Sequence, residues 1–456
     1  MLIRFSVENF LSFKDRIEFS MIPGKGTLKL HHKTKAIKGI SALKSSVIFG
    51  ANASGKSNLI KAIDFGKKLI LRGNKSDQLI KYQNFRLDKK SYVLNSRIEY
   101  EIQYKEKNYA YGFVFNSKEI VEEWLYEITK KAQVKIFERN INTSKIFDLE
   151  PLLKKNKKEE QKQFLNFIAK STPNNQLFLT EIRTRKVQDN VSDITDLVNI
   201  IDWFRDVLKV IFPDDKYNEG VKFELNDDSK LQMIFKEFLD YFDTGIDGIC
   251  LEEIKLQDSE IPTKLFDSIK DDLLNVKSEK AGITLISPSN RTYFLIKKGN
   301  DVLVYKLMTK HRVKGQNDLI KFDTKDESDG TNRIIDFIPT IMDLLNGDSV
   351  FIIDELERSL HPNLIYDLLD LFLNKCGNIN SQLIIASHES SLLTQKLLRK
   401  DEIWFVVKDK YGSSQIHSLE EYNIRFDKEI RKDYLLGRFK AIPRIGDRNK
   451  LTVLPS

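Results

Sequence analysis

The chain has 456 residues, 41% hydrophobic and 31% charged, with 74 Lys plus Arg against 66 Asp plus Glu and a formal net charge of +8. That length is about three domains' worth of chain and buries large cores without staples, while the two cysteines, Cys250 and Cys376, are too few and too far apart to form a disulfide framework or a metal-like pair. No apolar run reaches the ~20 residues of a membrane span and Met1-Leu2-Ile3-Arg4-Phe5 lacks a signal peptide's apolar core, so the expectation is a soluble cytoplasmic protein with buried, reduced thiols.

Residues 1–20 read as two short strands, with Ile3, Phe5 and Val7 alternating and then Ile17 and Phe19. The apolar run Ser46-Val47-Ile48-Phe49 predicts a third. It leads into Gly50-Ala51-Asn52-Ala53-Ser54-Gly55-Lys56-Ser57 and a helical pattern with Leu59, Ile60, Ile63, Leu69 and Ile70 on one side. The octapeptide matches the phosphate-binding loop G-x-x-x-x-G-K-[ST] at every fixed position, with a strand before it and a helix after it. Gly50 and Gly55 let the backbone fold close around a phosphate, and the loop N–H groups and the positive end of the helix attract it. Lys56 would reach the β- and γ-phosphates, and the Ser57 hydroxyl would hold Mg²⁺.

Beyond Asp88 the pattern returns to strands. Ile98-Tyr100-Ile102-Tyr104, Tyr109-Tyr111-Phe113-Phe115, Ile120 to Ile128 and Val134-Ile136-Phe137 are separated by polar turns and predict an antiparallel meander. From about 150 to 280 the texture turns helical. Lys154 to Gln163 opens it; Asp193 to Phe212 carries Ile194, Leu197, Val198, Ile201, Phe204 and Leu208 at helical spacing. Leu231 to Phe242 and Leu265 to Val276 repeat the habit. The heptads are too irregular for a long coiled coil. Strands resume at Ile283–Ile286, Tyr293–Ile296 and Val302–Leu307. The last third alternates as an α/β sheet should: helix Ile334–Leu345, buried strand Val350–Ile353, helix Pro362–Leu373, and strands Leu383–Ala386 and Ile403–Val407.

A phosphate loop needs a carboxylate on the metal side and a group that activates water. Asp354 and Glu355, at the end of the buried run Val350-Phe351-Ile352-Ile353, supply both: Asp354 to hold Mg²⁺, Glu355 as general base, a role worth ~10²–10⁴ in rate. An acidic pair after an apolar strand is weak evidence alone and strong evidence beside Lys56 and Ser57. His388, ending the run Gln382 to Ser387, is placed to sense the γ-phosphate or hold the attacking water. Glu327-Ser328-Asp329-Gly330-Thr331-Asn332 opens the amphipathic helix, where Ser328 and Gly330 make a second potential anion site. One chain does not normally bring two such sites onto one phosphate, but two copies packed head to tail do.

Loop, serine-glycine turn, Asp-Glu strand and strand-end histidine occur in the order of ABC-type ATPase heads, and the chain resembles the RecF, SMC and OLD-like branch of that class. Phe5-Ser6-Val7-Glu8-Asn9-Phe10-Leu11-Ser12-Phe13 looks like that branch's first strand, and Gly50 to Asn58, Glu327 to Thr331 and Leu356-Glu357-Arg358-Ser359-Leu360-His361-Pro362 resemble its motifs. The stand-alone ATPases of abortive-infection and phage-defence operons, RloA-like proteins among them, are the most similar in pattern, including the ending Gly437 to Gly446. The resemblance covers roughly 1–130 and 290–456. It implies an α/β P-loop NTPase, an ABC/SMC-like head of mixed sheet plus antiparallel β subdomain interrupted by a helical insertion. The lobes would be 1–145 and 286–456, with the insertion at 146–285 as a docking surface. It also implies that Gly50, Ala51, Asn52, Ala53, Ser54, Gly55, Lys56, Ser57 and Asn58 bind ATP, that Ser57 and Asp354 hold Mg²⁺, and that Ser328, Asp329, Gly330 and Thr331 meet the ATP of a partner subunit. Ser359 and Leu360 would sit at a dimer interface and His388 would be the switch histidine. Asp329 departs from the glycine of transporters, and Gln83 is the nearest counterpart of the metal-side glutamine lever. Asn74-Lys75-Ser76-Asp77 matches a guanine reader but follows the first helix too closely, so it reads as a loop and the nucleotide as ATP.

Three functions compete on these residues. One is an ATP switch, a homodimer or higher oligomer driving a nuclease-like effector from the same operon. Another is a repair or maintenance ATPase clamping nucleic acid. The third, a self-sufficient nuclease, lacks the further acidic metal cluster it needs. From Tyr422 to Ser456 nine basic residues (Arg425, Lys428, Arg431, Lys432, Arg438, Lys440, Arg444, Arg448 and Lys450) face four acidic ones. Such a tail is more often a solvated face than a nucleic-acid contact.

Overall fold

The strand that enters the phosphate-loop pattern lies inside a six-stranded sheet. Its strands are Ser45–Phe49 (β1), Leu208–Ile211 (β2), Val350–Asp354 (β3), Gln382–Ser387 (β4), Ile403–Lys408 (β5) and Ser414–Ser418 (β6), in the order β6-β5-β1-β4-β3-β2. All neighbours are parallel except β6, which runs antiparallel to β5 along one edge. Every residue of β1, β3 and β4 is buried, and parallel strands covered on both faces read as continuous apolar runs. The computed structural model describes residues 1–217, 219–278, 281–289, 291–315, 318–358, 360–375, 380–422 and 429–442. Among them no helix is long and apolar enough to cross a membrane. Cys250 is buried; Cys376, Ser359, much of the Gly437 to Gly446 ending and the tail lysines and arginines beyond it lie outside the described residues.

The helix after β1, Lys56–Arg72 (α1), packs under the expected meander. That meander is a seven-stranded antiparallel sheet that includes Leu2–Glu8, Ile17–Ser20 and the four strands from Ser96–Tyr104 to Gln133–Asn140. Its inward side chains, Phe5, Tyr100, Tyr111 and Phe113 among them, share one core with Leu59, Ile60 and Ile63 of α1. The Tyr100 hydroxyl donates to the Ile63 carbonyl at 2.7 Å. The far end of α1 is tied as well. Thr180 Oγ1 donates to the carbonyls of Leu69 and Ile70 at 3.1 and 2.9 Å, satisfying groups that a helix end leaves orphaned. The helix carrying Thr180, Phe178–Thr184, is held at its start by Glu123 of the meander, which accepts from the N–H groups of Phe178 and Leu179 at 2.6 and 3.1 Å.

The sequence predicts one helix from Asp193 to Phe212. The structure has helix Thr195–Asp202, a single π turn Trp203–Val207, and then β2. Leu208 to Ile211 have helical spacing, but Val350 to Ile353 pair with them in parallel and draw the backbone into the sheet. Sheet pairing overrides local propensity. Phe204 and Leu208, expected on a docking surface, are buried instead, and Phe204 meets the Tyr100 ring edge-on at 4.9 Å.

The chain forms two compact units: Met1–Pro213, Leu344–Glu357 and Tyr366–Ser456 make the first, and Asp214–Asp343 with Arg358–Ile365 the second. The expected boundaries at 145 and 285 do not fall on this division, because the helices from Glu150 to Asp202 bury their apolar faces in the first unit's core. The second unit is not a helical layer. It is built on an antiparallel sheet of Gly248–Ile254, Gly282–Ile286, Thr292–Lys298, Asp301–Arg312 and Leu319–Asp323. Phe294, Ile296, Tyr305 and Leu307 face the helices Ser229–Tyr241 and Asp329–Asn346. The alternate residues Tyr293, Leu295, Val302 and Val304 face helix Thr263–Asn275, as the two-residue period of a strand requires. Phe238 and Phe242 pack partly buried against the first of these clusters, while Leu265 is 45% exposed.

Candidate functional site

The predicted loop crosses from β1 to α1 in a conformation that requires its two fixed glycines. Gly55 has φ 118°, and a Cβ there would stand 2.4 Å from Ser414 Oγ; a Cβ on Gly50 would stand 2.6 Å from the Val406 carbonyl. Ala53 also has positive φ, at 61°. Two serines brace the loop from outside. Ser414 Oγ donates to the Ser54 carbonyl at 2.6 Å, its N–H donates to the Ser12 carbonyl at 2.8 Å, and Asn58 Nδ2 donates to Ser12 Oγ at 2.9 Å. The Phe5 to Phe13 run is thereby explained as a loop support. Asn9 of that run donates to the Ser91 and Leu94 carbonyls at 2.9 and 2.8 Å.

Lys56, 5% exposed, curls back over the loop. Its Nζ donates to the Gly50 carbonyl at 2.8 Å and the Ala51 carbonyl at 3.3 Å, and reaches the His388 ring nitrogens at 3.1 and 3.3 Å. Burial pulls its pKa down from 10.5 to about 8, opposed by Glu357, Asp354 and Glu355. Burial, reinforced by Lys56, also lowers the His388 pKa below its ordinary 6.5. The imidazole is thus neutral near pH 7 and able to accept from the ammonium. The Asp354 carboxyl, 3% exposed, is pushed up by burial first and then by Glu355, while a hydrogen bond from Ser57 and the charge of Lys56 oppose that rise. Its Oδ1 is buried and has no hydrogen-bond partner.

That orphaned oxygen tests the metal assignment. A buried carboxylate with one oxygen bonded to Ser57 and the other without a partner is a donor set for a hard cation, so Ser57 and Asp354 fit Mg²⁺. The ion would neutralise phosphate charge there. Glu355 follows at φ 50°, with its N–H donating to the Ala386 carbonyl at 3.0 Å. A non-glycine residue in the left-handed region is strained by ~1–3 kcal/mol, which the surroundings must hold in place.

The structure therefore brings Gly50 to Asn58, Asp354, Glu355 and His388 together in the first unit. It adds Glu357, whose Oε1 accepts from the His388 N–H and whose Oε2 is buried without a partner. Glu357 stands in the Leu356 to Pro362 motif but carried no expected role; its spacing from Asp354 was the signal. Ser12 and Ser414 were also missed, and Ser414, distant in sequence, had no signal at all. Gln83 is not part of the cluster. Its side chain is exposed, and it joins the surroundings through its carbonyl, which accepts from Leu11 N–H at 2.8 Å. Asn74 to Asp77 follow the other end of α1, whose 17 residues span roughly 25 Å, which fits the loop reading.

Ser328, Asp329, Gly330 and Thr331 belong to the second unit. Ser328 Oγ accepts from Thr331 N–H at 3.1 Å at the start of helix Asp329–Asn346, as a helix N-cap does. The preceding Glu327 is held by Thr309 Oγ1 and His311 Nε2 at 2.6 and 2.7 Å.

The model of the family described as "AAA domain, putative AbiEii toxin, Type IV TA system" matches residues 45–394. The match spans well over half of the chain, which therefore belongs to that family. No curated protein matches it. Among solved structures, the SMC head domain from Thermotoga maritima aligns at TM-score 0.36 and 11% identity, covering 91% of this chain and 98% of that one. A SmcHead bound to the C-winged helix domain of ScpA aligns at TM-score 0.36 and 12% identity, covering 91% and 97%. An Smc head with an extended coiled coil, bound to the C-terminal domain of ScpA derived from Pyrococcus furiosus, aligns at TM-score 0.32 and 11% identity, covering 96% and 99%.

Proposed function

We propose that this AAA-domain family member is an ATP-driven switch that closes on a second copy of itself and controls an effector protein in anti-phage defence, as RloA-like ATPases are expected to do. The observation that carries the reading is the cluster of Lys56, Asp354, Glu355, Glu357 and His388 around one glycine-built loop. Residues 50–58 cradle the phosphates and Lys56 pairs with the β- and γ-phosphates. Ser57 and Asp354 would hold Mg²⁺, which would supply charge neutralisation at the phosphates, and Glu355 is the general base for the attacking water. His388 gives up Lys56 to the nucleotide and turns to the γ-phosphate. Ser328 to Thr331 of a second copy supply the other wall of the site.

With no second metal-ligand cluster among the described residues, an ATPase of this kind acts by changing shape for something else. The family's description, a putative AbiEii toxin of a Type IV TA system, supports a second protein that works with this chain, here taken as a nuclease-like effector encoded beside it. Glu355→Gln tests the core of the proposal. It should bind ATP with Mg²⁺ as the parent does, hydrolyse it at least ~10²-fold more slowly, and abolish or lock on the growth arrest of cells co-expressing the neighbouring gene. Parent-like turnover sinks the base assignment. Full protection of cells by this chain alone sinks the effector.

A further inference from the structure

The opposite end of β1 from the phosphate loop carries a different chemistry. Between Gly24 and Lys44 there are six lysines, two histidines and no aspartate or glutamate. The segment folds along the edge where the sheet's strands begin. Leu383 N–H, at the start of β4, donates to the Lys44 carbonyl at 2.8 Å, and Gly24 N–H donates to Asp401, just before β5, at 2.8 Å. Farther on it reaches the end of the meander, where Asn108 Nδ2 donates to the Ile37 carbonyl at 2.9 Å and Lys130 N–H approaches the Lys38 carbonyl.

Three acids at this edge are held by partners, two of them buried. Glu402 is 0% exposed and bound through both oxygens to His32 Nδ1 at 2.9 and 3.0 Å. Asp401, 5% exposed, is gripped by Arg399 at 2.6 and 2.8 Å. Glu127 is taken by Lys38 and Lys107. Lys25, Lys35, Lys130 and Lys131 are exposed, and none has an ion-pair partner among the described residues. Glu420, beside Gly24, is an exposed carboxylate at this edge. Asp348, just before β3, is a second exposed carboxylate here; with Glu402, Asp401 and Glu127 each tied to a partner and the four lysines exposed, the balance at this edge of the first unit is a positive stripe.

We propose that this stripe binds the phosphate backbone of a nucleic-acid duplex without reading its bases. Ammonium groups on long flexible stems suit a polyanion with one charge per about 1.7 Å of axis. No Phe, Tyr or Trp occurs from Met21 to Lys44, so the platform on which single strands stack is missing. The helical part of the segment is a three-residue turn, Leu30–His32, far short of the amphipathic helix that seats a protein on an anionic membrane. The stripe lies at the start of β1 and the ATP loop at its end, so a duplex held here leaves the nucleotide site open.

The test is fluorescence anisotropy of a labelled mixed-sequence DNA duplex, titrated with the full chain between 50 and 200 mM salt. The comparison is the quadruple variant Lys25→Gln, Lys35→Gln, Lys130→Gln, Lys131→Gln, which breaks no ion pair among the described residues. The parent should bind in the range of roughly 10⁻⁴–10⁻⁶ M, independent of sequence. The variant should flatten the slope of log K against log salt by about 0.9 for each phosphate it no longer neutralises, up to about 3.6, with its melting temperature and ATPase rate unchanged. An unchanged slope, no binding by the parent at 50 mM salt, or a variant that loses binding to phosphatidylserine vesicles while its duplex binding persists would each overturn the proposal.

Discussion

In the free protein, burial holds the Lys56 ammonium at a pKa of about 8. An ATP triphosphate placed against it returns the group toward its ordinary value near 10.5, because an adjacent anion favours the charged form. Binding must therefore take up protons, by an amount that depends on pH. With pKa about 8 before binding and near 10.5 after it, uptake is about 0.1 proton at pH 7, about 0.5 at pH 8 and about 0.9 at pH 9. Affinity should fall about tenfold from pH 7 to pH 9 over the same window. The sign for stability follows from the lowered folded-state value. The free fold carries a penalty on the order of 3 kcal/mol below pH 8, relieved as pH rises from about 8 toward 10.5. Calorimetry of MgATP binding to Glu355→Gln, in buffers of different ionisation enthalpy, separates the proton count from the intrinsic heat. His388 is distinguishable by sign: its pKa in the free protein lies below 6.5, so any proton it gains beside the γ-phosphate contributes less as pH rises, whereas the Lys56 uptake grows. Uptake that does not rise with pH, or that rises equally in a Lys56→Arg variant that still binds, refutes the assignment of Lys56 to the phosphates.

Other consequences are as definite. Ser328→Arg should bind ATP but not hydrolyse it, and mixing it with Lys56→Ala should restore part of the activity through one intact composite site; no rescue between two folded variants speaks against sites shared by two copies. Glu355→Gly should end hydrolysis without lowering the melting temperature, because glycine relieves the strain of φ 50°, worth ~1–3 kcal/mol; a clear drop in melting temperature shows the conformation is unstrained. Phe204→Ala, emptying a fully buried site against Tyr100, should cost about 3–5 kcal/mol in urea unfolding, and a cost under about 1 kcal/mol means that the π turn does not anchor α1.

The phosphate loop, the acidic strand and the meander were legible because each is set by local pattern. Val350 to Ile353 is apolar throughout because both faces are covered, and Ile98 to Tyr104 alternates because one face is. What stayed illegible depends on contacts across the sequence. Leu208 to Ile211 became a strand because Val350 to Ile353 offered partners. Gly248–Ile254 reads poorly as a strand, since Glu252 and Glu253 interrupt it, and only pairing with Ile254↔Val304 through Gly248↔Lys310 fixes it. The helices after Glu150 have stripes suited either to a docking surface or to a core, and Glu123 reaching Phe178 and Leu179 decided for the core. In the site, Ser414 comes from the far edge strand β6, and no spacing rule connects it to Gly55.

Buried carboxylates elsewhere in the first unit show what a purely structural acid looks like here. Asp196 gives Oδ1 to Lys107 and Tyr109 at 2.7 and 2.9 Å and Oδ2 to Lys155 at 2.7 Å. Glu123 divides its oxygens among Tyr111, Phe178 N–H and Leu179 N–H. In both, every oxygen is used, as burial demands when a missing partner costs about 1–3 kcal/mol. Asp354 and Glu357 break that pattern, each keeping one buried oxygen without a partner. Lys56, meanwhile, is satisfied by two carbonyls of its own loop and a neutral imidazole rather than by either acid. A fold does not leave two acids under-bonded within reach of an ammonium for stability's sake. A cation at Asp354 together with an anion at Lys56, the pair of charges that a metal-bound triphosphate brings, would recover that cost.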